Sequence, residues 1–157
     1  MYFLFIAVFG NSKDKPHAVI VFLSCLVLVL FPLTPSVDTF SYIENKGVYT
    51  CLDGVTALIL TMFMNVDKTA WKQAALLSFA TLCHIMVILS LINQQAGFFY
   101  NWYSELIFLI GILQIMVSYD GFIHALSNLQ ALLLRAYTYC NRTIQNLPLY
   151  KNSGKRT

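Results

Sequence analysis

The sequence predicts an all-α, polytopic integral membrane protein, with about four transmembrane helices and a C-terminal amphipathic or interfacial helix. Three observations lead there. Of 157 residues, 58% are hydrophobic and only 11% charged, with a mean hydropathy of +0.66; a soluble domain is about half apolar and about a quarter charged. A chain this short leaves much of its surface facing solvent, so the excess apolar surface calls for lipid as that solvent. The apolar residues also fall into runs close to the roughly 17–25 residues that a spanning helix needs. Finally, the basic residues cluster on one side of the alternation of runs. We expect one helical membrane domain over residues 1–150 and a disordered basic tail over 151–157.

The elements run in order. Tyr2 to Phe9 is apolar but too short to span, and Gly10-Asn11-Ser12 separates it from the first span; it is expected in the interface or packed across the bundle. The first span, 18–33, is apolar apart from Ser24 and Cys25, and Pro32 and Pro35 close it. Lys13 and Lys15 before it imitate the start of a signal peptide. No small-x-small cleavage pattern comes after it, so the segment is expected to be retained. The second span covers 51–66, the third 73–92 and the fourth 99–119. Beyond them, 122–139 carries Phe122, Leu126, Leu129 and Leu133 at helical spacing, with His124, Ser127, Asn128 and Arg135 on other faces. That pattern suits a helix lying at a membrane surface or extending the fourth span into the cytosol.

Orientation is set by the ten Lys and Arg residues. With the amino terminus inside, Lys13, Lys15, Lys68, Lys72, Arg135, Arg142, Lys151, Lys155 and Arg156 face the cytoplasm, and Lys46 alone faces out. The positive-inside rule therefore places both termini in the cytoplasm, in a bacterial-type inner or plasma membrane. Aromatic residues mark the boundaries: Trp71 at the inner end of the third span, Trp102 and Tyr103 at the outer end of the fourth. The short segment Asn93 to Gly97 makes the third and fourth spans an antiparallel hairpin. Asn141-Arg142-Thr143 matches a glycosylation acceptor pattern, but on this topology it stays in the cytoplasm unmodified.

Small and polar residues mark packing faces in lipid, where no hydrophobic force draws helices together. Such a seam runs through Gly54, Thr61 and Asn65 in the second span, Ser78 and Thr81 in the third, and Gly111 and Gln114 in the fourth. The expected core is therefore spans two to four, with the first span more exposed to lipid. Ionisable groups inside a bilayer are costly and so are candidates for function. Asp53 and Glu105 lie about one turn inside the outer surface and His84 near mid-depth. Facing one another, they would form an Asp–His–Glu cluster open to the outer side. Its readings are hydrated interfacial carboxylates beside a hydrogen-bonded core histidine, a proton or cation relay through His84, or, least supported, a metal site.

No catalytic centre is expected. Cys25, Cys51, Cys83 and Cys140 form no Cys-x-x-Cys pair and read as small buried hydrophobes. No Gly-x-Ser-x-Gly, His-Glu-x-x-His or phosphate-binding glycine loop is present. No cofactor and no metal are expected, and the scattered basic residues exclude a nucleic-acid interface. The partners expected are the lipid bilayer and either further copies of the chain or a larger membrane protein. The function expected is that of a non-enzymatic structural or interaction component, a homo-oligomer or an accessory subunit. The alternatives are a small proton- or cation-conducting channel and a holin-like permeabilising protein.

Overall fold

Helix formation follows the apolar runs but outlasts them. The computed structural model describes residues 1–30, 39–65, 67–94 and 98–145; Pro32, Pro35, the residues 95–97 that close the third–fourth hairpin, and the tail 151–157 lie outside them. Among the described residues there are helices and no strands: α1 (Tyr2–Phe9), α2 (Lys15–Leu30), α3 (Thr39–Met62), α4 (Lys68–Ile92), α5 (Phe98–Asn101), α6 (Tyr103–Val117) and α7 (Tyr119–Gln145). The all-helical bundle is thus as expected. Helix α4 starts at Lys68 rather than 73 and α7 covers Tyr119–Gln145 rather than 122–139; two differences are larger. The second helix starts twelve residues before the apolar run, at Thr39 rather than 51, because its polar first half holds nothing that breaks a helix. The fourth is split at Trp102 into α5 and α6.

Among the described residues, where about four spans are expected, one helix, Lys68–Ile92, is long and apolar enough to cross a membrane by itself, and α6 with α7 passes as a single span bent by 49°. Helix α2 is apolar but shorter, and α3 carries Glu44, Lys46 and Asp53 along its length.

Three helix ends have a local cause. Asp67 caps α4: its carboxylate accepts from the Thr69 backbone N–H at 2.8 Å, satisfying one of the free donors of the first turn. Pro16 sits in the first turn of α2, where a missing N–H costs nothing. Gly10 ends α1 by turning its N–H onto the Ile6 carbonyl at 2.7 Å. A Cβ there would lie 2.4 Å from that same oxygen, so the corner between α1 and α2 requires glycine.

The densest packing joins antiparallel α3 and α4. Val21, Ala57, Leu60, Ala70, Ala74 and Leu77 are buried together, and Ala80, Cys83 and Ile110 form a second buried cluster where α4 meets α6. Close approach is made by alanines more than by the hydroxyl-bearing seam. Gly54 lies beside Thr81, whose Cγ2 would be 3.7 Å from an added Cβ, and Gly111 and Gln114 are partly buried. Thr61, Asn65 and Ser78, however, are exposed. The buried stripe of α3 runs through Thr56, Ala57 and Leu60; at about 100° per residue, Thr61 and Asn65 fall on a neighbouring face. The first span is also less peripheral than expected, since α2 buries His17, Ala18 and Val21.

Helix α1 lies along the start of α7. Tyr2 stacks on Phe122 at 5.1 Å, its hydroxyl donates to the Ile115 carbonyl at 3.1 Å, and Asn128 donates to the Phe9 carbonyl at 2.8 Å. The remainder of α7 leaves the bundle: every residue from 130 to 143 is exposed. Of the cysteines, only Cys83 is buried; Cys25, Cys51 and Cys140 are exposed and all four are free.

Candidate functional site

Two polar clusters lie in the bundle, one toward each end of α4, and each is built on a histidine held by an aspartate. The first contains two of the three ionisable residues singled out in the sequence. His84 Nε2 lies 3.1 Å from Asp53 Oδ2, and the Tyr103 hydroxyl lies 2.6 Å from His84 Nδ1. A carboxylate only accepts, so Nε2 carries the proton and donates to Asp53. Nδ1 of the neutral ring then accepts from Tyr103. The Tyr49 ring stacks on the imidazole at 5.7 Å. Above them the Lys46 ammonium sits 4.4 Å from the Tyr103 ring centroid, 4.8 Å from Tyr42 and 5.2 Å from Tyr49. Such cation–π contacts suit a partly desolvated cation, and burial pushes the Lys46 ammonium below its ordinary value.

Glu105 does not join. It is exposed in the first turn of α6 and accepts from the Ser104 hydroxyl at 2.9 Å, where a carboxylate complements the helix dipole. Two residues apart on a helix, Tyr103 and Glu105 point to nearly opposite sides. Once Tyr103 faces His84, Glu105 faces away. Tyr103, expected as an interfacial anchor, therefore occupies the place foreseen for Glu105; Trp71 and Trp102 are exposed.

The second cluster is not among the sites expected from sequence, although Gln114 of the expected seam belongs to it. His17 Nδ1 donates to the Asp67 carboxylate, and both residues are buried. His17 Nε2 lies 3.3 Å from the Ser118 hydroxyl, which in turn accepts from Gln73 Nε2 at 2.7 Å. The same amide donates its other proton to the Gln114 carbonyl at 2.7 Å. Gln73, His17 and Ser118 are almost wholly enclosed, and Gln73 Oε1 is a buried acceptor with no partner among the described residues. The connectivity serine to histidine to aspartate is that of a nucleophile with its base. Ser118 is shut off by protein on all sides, however, so no substrate reaches it and the arrangement is a hydrogen-bonded clasp. It ties α2, the start of α4 and the α6–α7 junction. Sequence held one signal for it, Asp67 as a helix cap two residues before Thr69; partners 50 and 101 residues distant leave no local trace.

A third pair, His124 Nδ1 with Asp14 Oδ2 at 3.0 Å, joins α7 to the corner before α2 with the imidazole half exposed. Among the described residues no group of three or more His, Cys, Asp or Glu side chains is placed to hold a metal ion.

Between the two buried clusters lies a cavity of about 190 Å³. Val21, Ser24 and Cys25 line it from α2, Asp53 and Thr56 from α3, Leu77 and Ala80 from α4, and Ile107, Ile110, Gly111 and Gln114 from α6. The wall is mostly apolar; on it the Thr56 hydroxyl donates to Ser24 Oγ at 3.1 Å. Searches against protein-family models, curated proteins and solved structures gave no match, so the residues themselves carry the functional reading.

Proposed function

We propose that this chain is a small multi-pass protein of an inner or plasma membrane, both termini cytoplasmic, acting without chemistry of its own as an interaction component of a membrane assembly. The observation that carries the reading is α7. Its apolar stripe begins with Phe122, Ala125 and Leu129, continues through Leu133, Ala136, Tyr137 and Cys140, and is covered by the bundle only in its first part. From 130 to 143 the helix is exposed all round. An amphipathic helix gains its stability from packing of the apolar face, so an uncovered stripe of this length supports a partner, either a second copy or a larger membrane protein.

The membrane part of the proposal is supported by the outward side chains. Val19, Leu23, Leu58, Phe79, Leu82, Phe108, Leu109 and Ile112 are among many large apolar residues exposed along α2, α3, α4 and α6, far beyond the scattered apolar residues of a soluble surface. Only 28% of the apolar stretch of α4 is buried within the bundle, unlike the core helix of a soluble protein.

Two measurements test the proposal. Purified in mild detergent, the full chain is expected as a stoichiometric complex or a defined oligomer, and Leu133→Glu with Tyr137→Glu is expected to abolish it; a monomer throughout would overturn the interaction reading. Cysteines introduced one at a time at Asn93 and Ser153, in a background lacking the native four, are expected to react with an impermeant reagent from outside only at position 93. Labelling at 153 instead would invert the topology.

A further inference from the structure

We propose that the cavity between α2, α3, α4 and α6 binds a small organic ammonium ion, its charged nitrogen held by the Asp53 carboxylate and its apolar body lying against the wall. The inference goes beyond the interaction role above and is independent of the partner.

The charge on Asp53 is the reason. Its Oδ2 accepts from the neutral His84 ring at 3.1 Å, a hydrogen bond that leaves the negative charge without a counter-ion. Lys46, the cation of α3, is engaged by three tyrosine rings and makes no ion pair with Asp53. The other oxygen, Oδ1, has no hydrogen-bond partner among the described residues, yet it is not one of the enclosed polar atoms. Only 16% of the Asp53 side chain is open, and a carboxylate buried to that degree is costly unless a cation pairs with it. Asp53 lines the cavity, which is therefore where a cation can reach it.

The rest of the wall selects the kind of cation. Helices α2 and α6 each pack on α4 and leave the cavity between them. Val21, Leu77, Ala80, Ile107 and Ile110 make most of its surface apolar. A hard metal cation takes about six or more oxygen ligands, whereas beside Asp53 the wall offers only the polar side chains of Ser24, Thr56 and Gln114 and the Cys25 thiol. An ammonium N–H needs a single acceptor, and with a carboxylate oxygen it forms a charge-assisted hydrogen bond, stronger than a neutral one. A few polar groups in a mainly apolar hollow are also the usual composition of a small-molecule site. The volume of about 190 Å³ lies below the roughly 300–1,000 Å³ that holds a drug-sized ligand, so the body of the ion is short. Either a free amine or the headgroup of an aminophospholipid supplies such a group.

Cys25 provides the readout, because it lines the same cavity and is exposed. Full-length protein in detergent, with the other exposed cysteines Cys51 and Cys140 changed to serine, is treated with N-ethylmaleimide and modification of Cys25 is followed by mass. Propylammonium is expected to slow the reaction, about tenfold once its concentration is about ten times its dissociation constant. Propanol, of equal length and uncharged, is expected to leave the rate unchanged. Asp53→Asn keeps an acceptor for His84 but loses the charge, and is expected to lose the protection; Glu105→Gln, at an exposed carboxylate outside the cavity, is expected to keep it. Gly111→Leu fills the cavity, since an added Cβ there meets nothing within 4 Å, and leaves Asp53 and His84 in place. It is expected to abolish the rise in thermal unfolding midpoint that propylammonium gives the wild-type chain. In vesicles without added amine, slower modification in phosphatidylethanolamine than in phosphatidylglycerol assigns the ammonium to a lipid headgroup, and protection by free propylammonium alone assigns it to a soluble ligand. Protection by neither, equal protection by propanol, protection that persists in Asp53→Asn, or a midpoint rise that persists in Gly111→Leu overturns the site.

Discussion

Asp67→Ala is expected to destabilise the bundle more than any other single polar substitution, by about 3–5 kcal/mol, the usual cost of stripping one partner from a buried pair. Three losses combine at this side chain. His17 would be left enclosed with an unanswered Nδ1–H. The cap on the Thr69 N–H would go, a loss of about 1 kcal/mol. The chain of bonds through Ser118 to Gln73 would lose its terminal acceptor. Asp53→Ala removes a comparable contact to His84, but Asp53 borders the cavity and keeps 16% of its side-chain surface open, so water replaces the missing acceptor and the expected loss is smaller. Unfolding in detergent micelles, monitored by circular dichroism, ranks the two. A neutral hydrogen bond between helices in a bilayer averages only about 0.6 kcal/mol. A loss at Asp67 no larger than that, or smaller than at Asp53, would show that the clasp is an ordinary contact.

How much of this is legible in the sequence depends on the range over which each feature is encoded. The helices are, because apolar runs and prolines act locally; the runs over 73–92 and 99–119 reappear as α4 and α6. The early start of α3 is not, since Thr39 to Thr50 is polar and the apolar run alone marks a span. The pairing of Asp53 with His84 comes from both being ionisable residues at membrane depth in adjacent helices. Depth says nothing about azimuth, and so Glu105 is expected where Tyr103 stands. The azimuth is encoded nearby: Tyr103, Leu106, Ile107, Ile110 and Gln114 repeat at three and four residues, and Ile110 is the buried centre of that face. The clasp of His17, Asp67 and Ser118 is out of reach. His17 and Ser118 end adjacent only because α2 and the α6–α7 junction meet at one end of the bundle, a consequence of tertiary packing that leaves no spacing to read.

Substituting arginine for Leu82 or Phe108 is expected to impair membrane insertion by about 2.5–3.5 kcal/mol per site, the insertion cost of an arginine at a helix centre. On a logarithmic scale that is roughly a hundredfold or more. Both residues lie near the middle of their helices and point away from the bundle, Leu82 48% and Phe108 72% exposed. The outcome separates two readings of the same apolar faces, because exposure means opposite things in the two solvents. If water bathes these faces, arginine at an exposed apolar position changes stability by no more than about 0.5 kcal/mol and raises solubility. If lipid bathes them, the guanidinium must reach the headgroups from mid-depth or drag water inward. Arginine at Tyr137, 70% exposed on the projecting half of α7, is the internal control. That segment is expected to remain at or beyond the surface, so its insertion is unchanged while the partner contact is lost. Carbonate-resistant membrane association of the three variants reads the difference. Equal behaviour of all three would mean that the apolar faces of α4 and α6 meet protein or water rather than lipid.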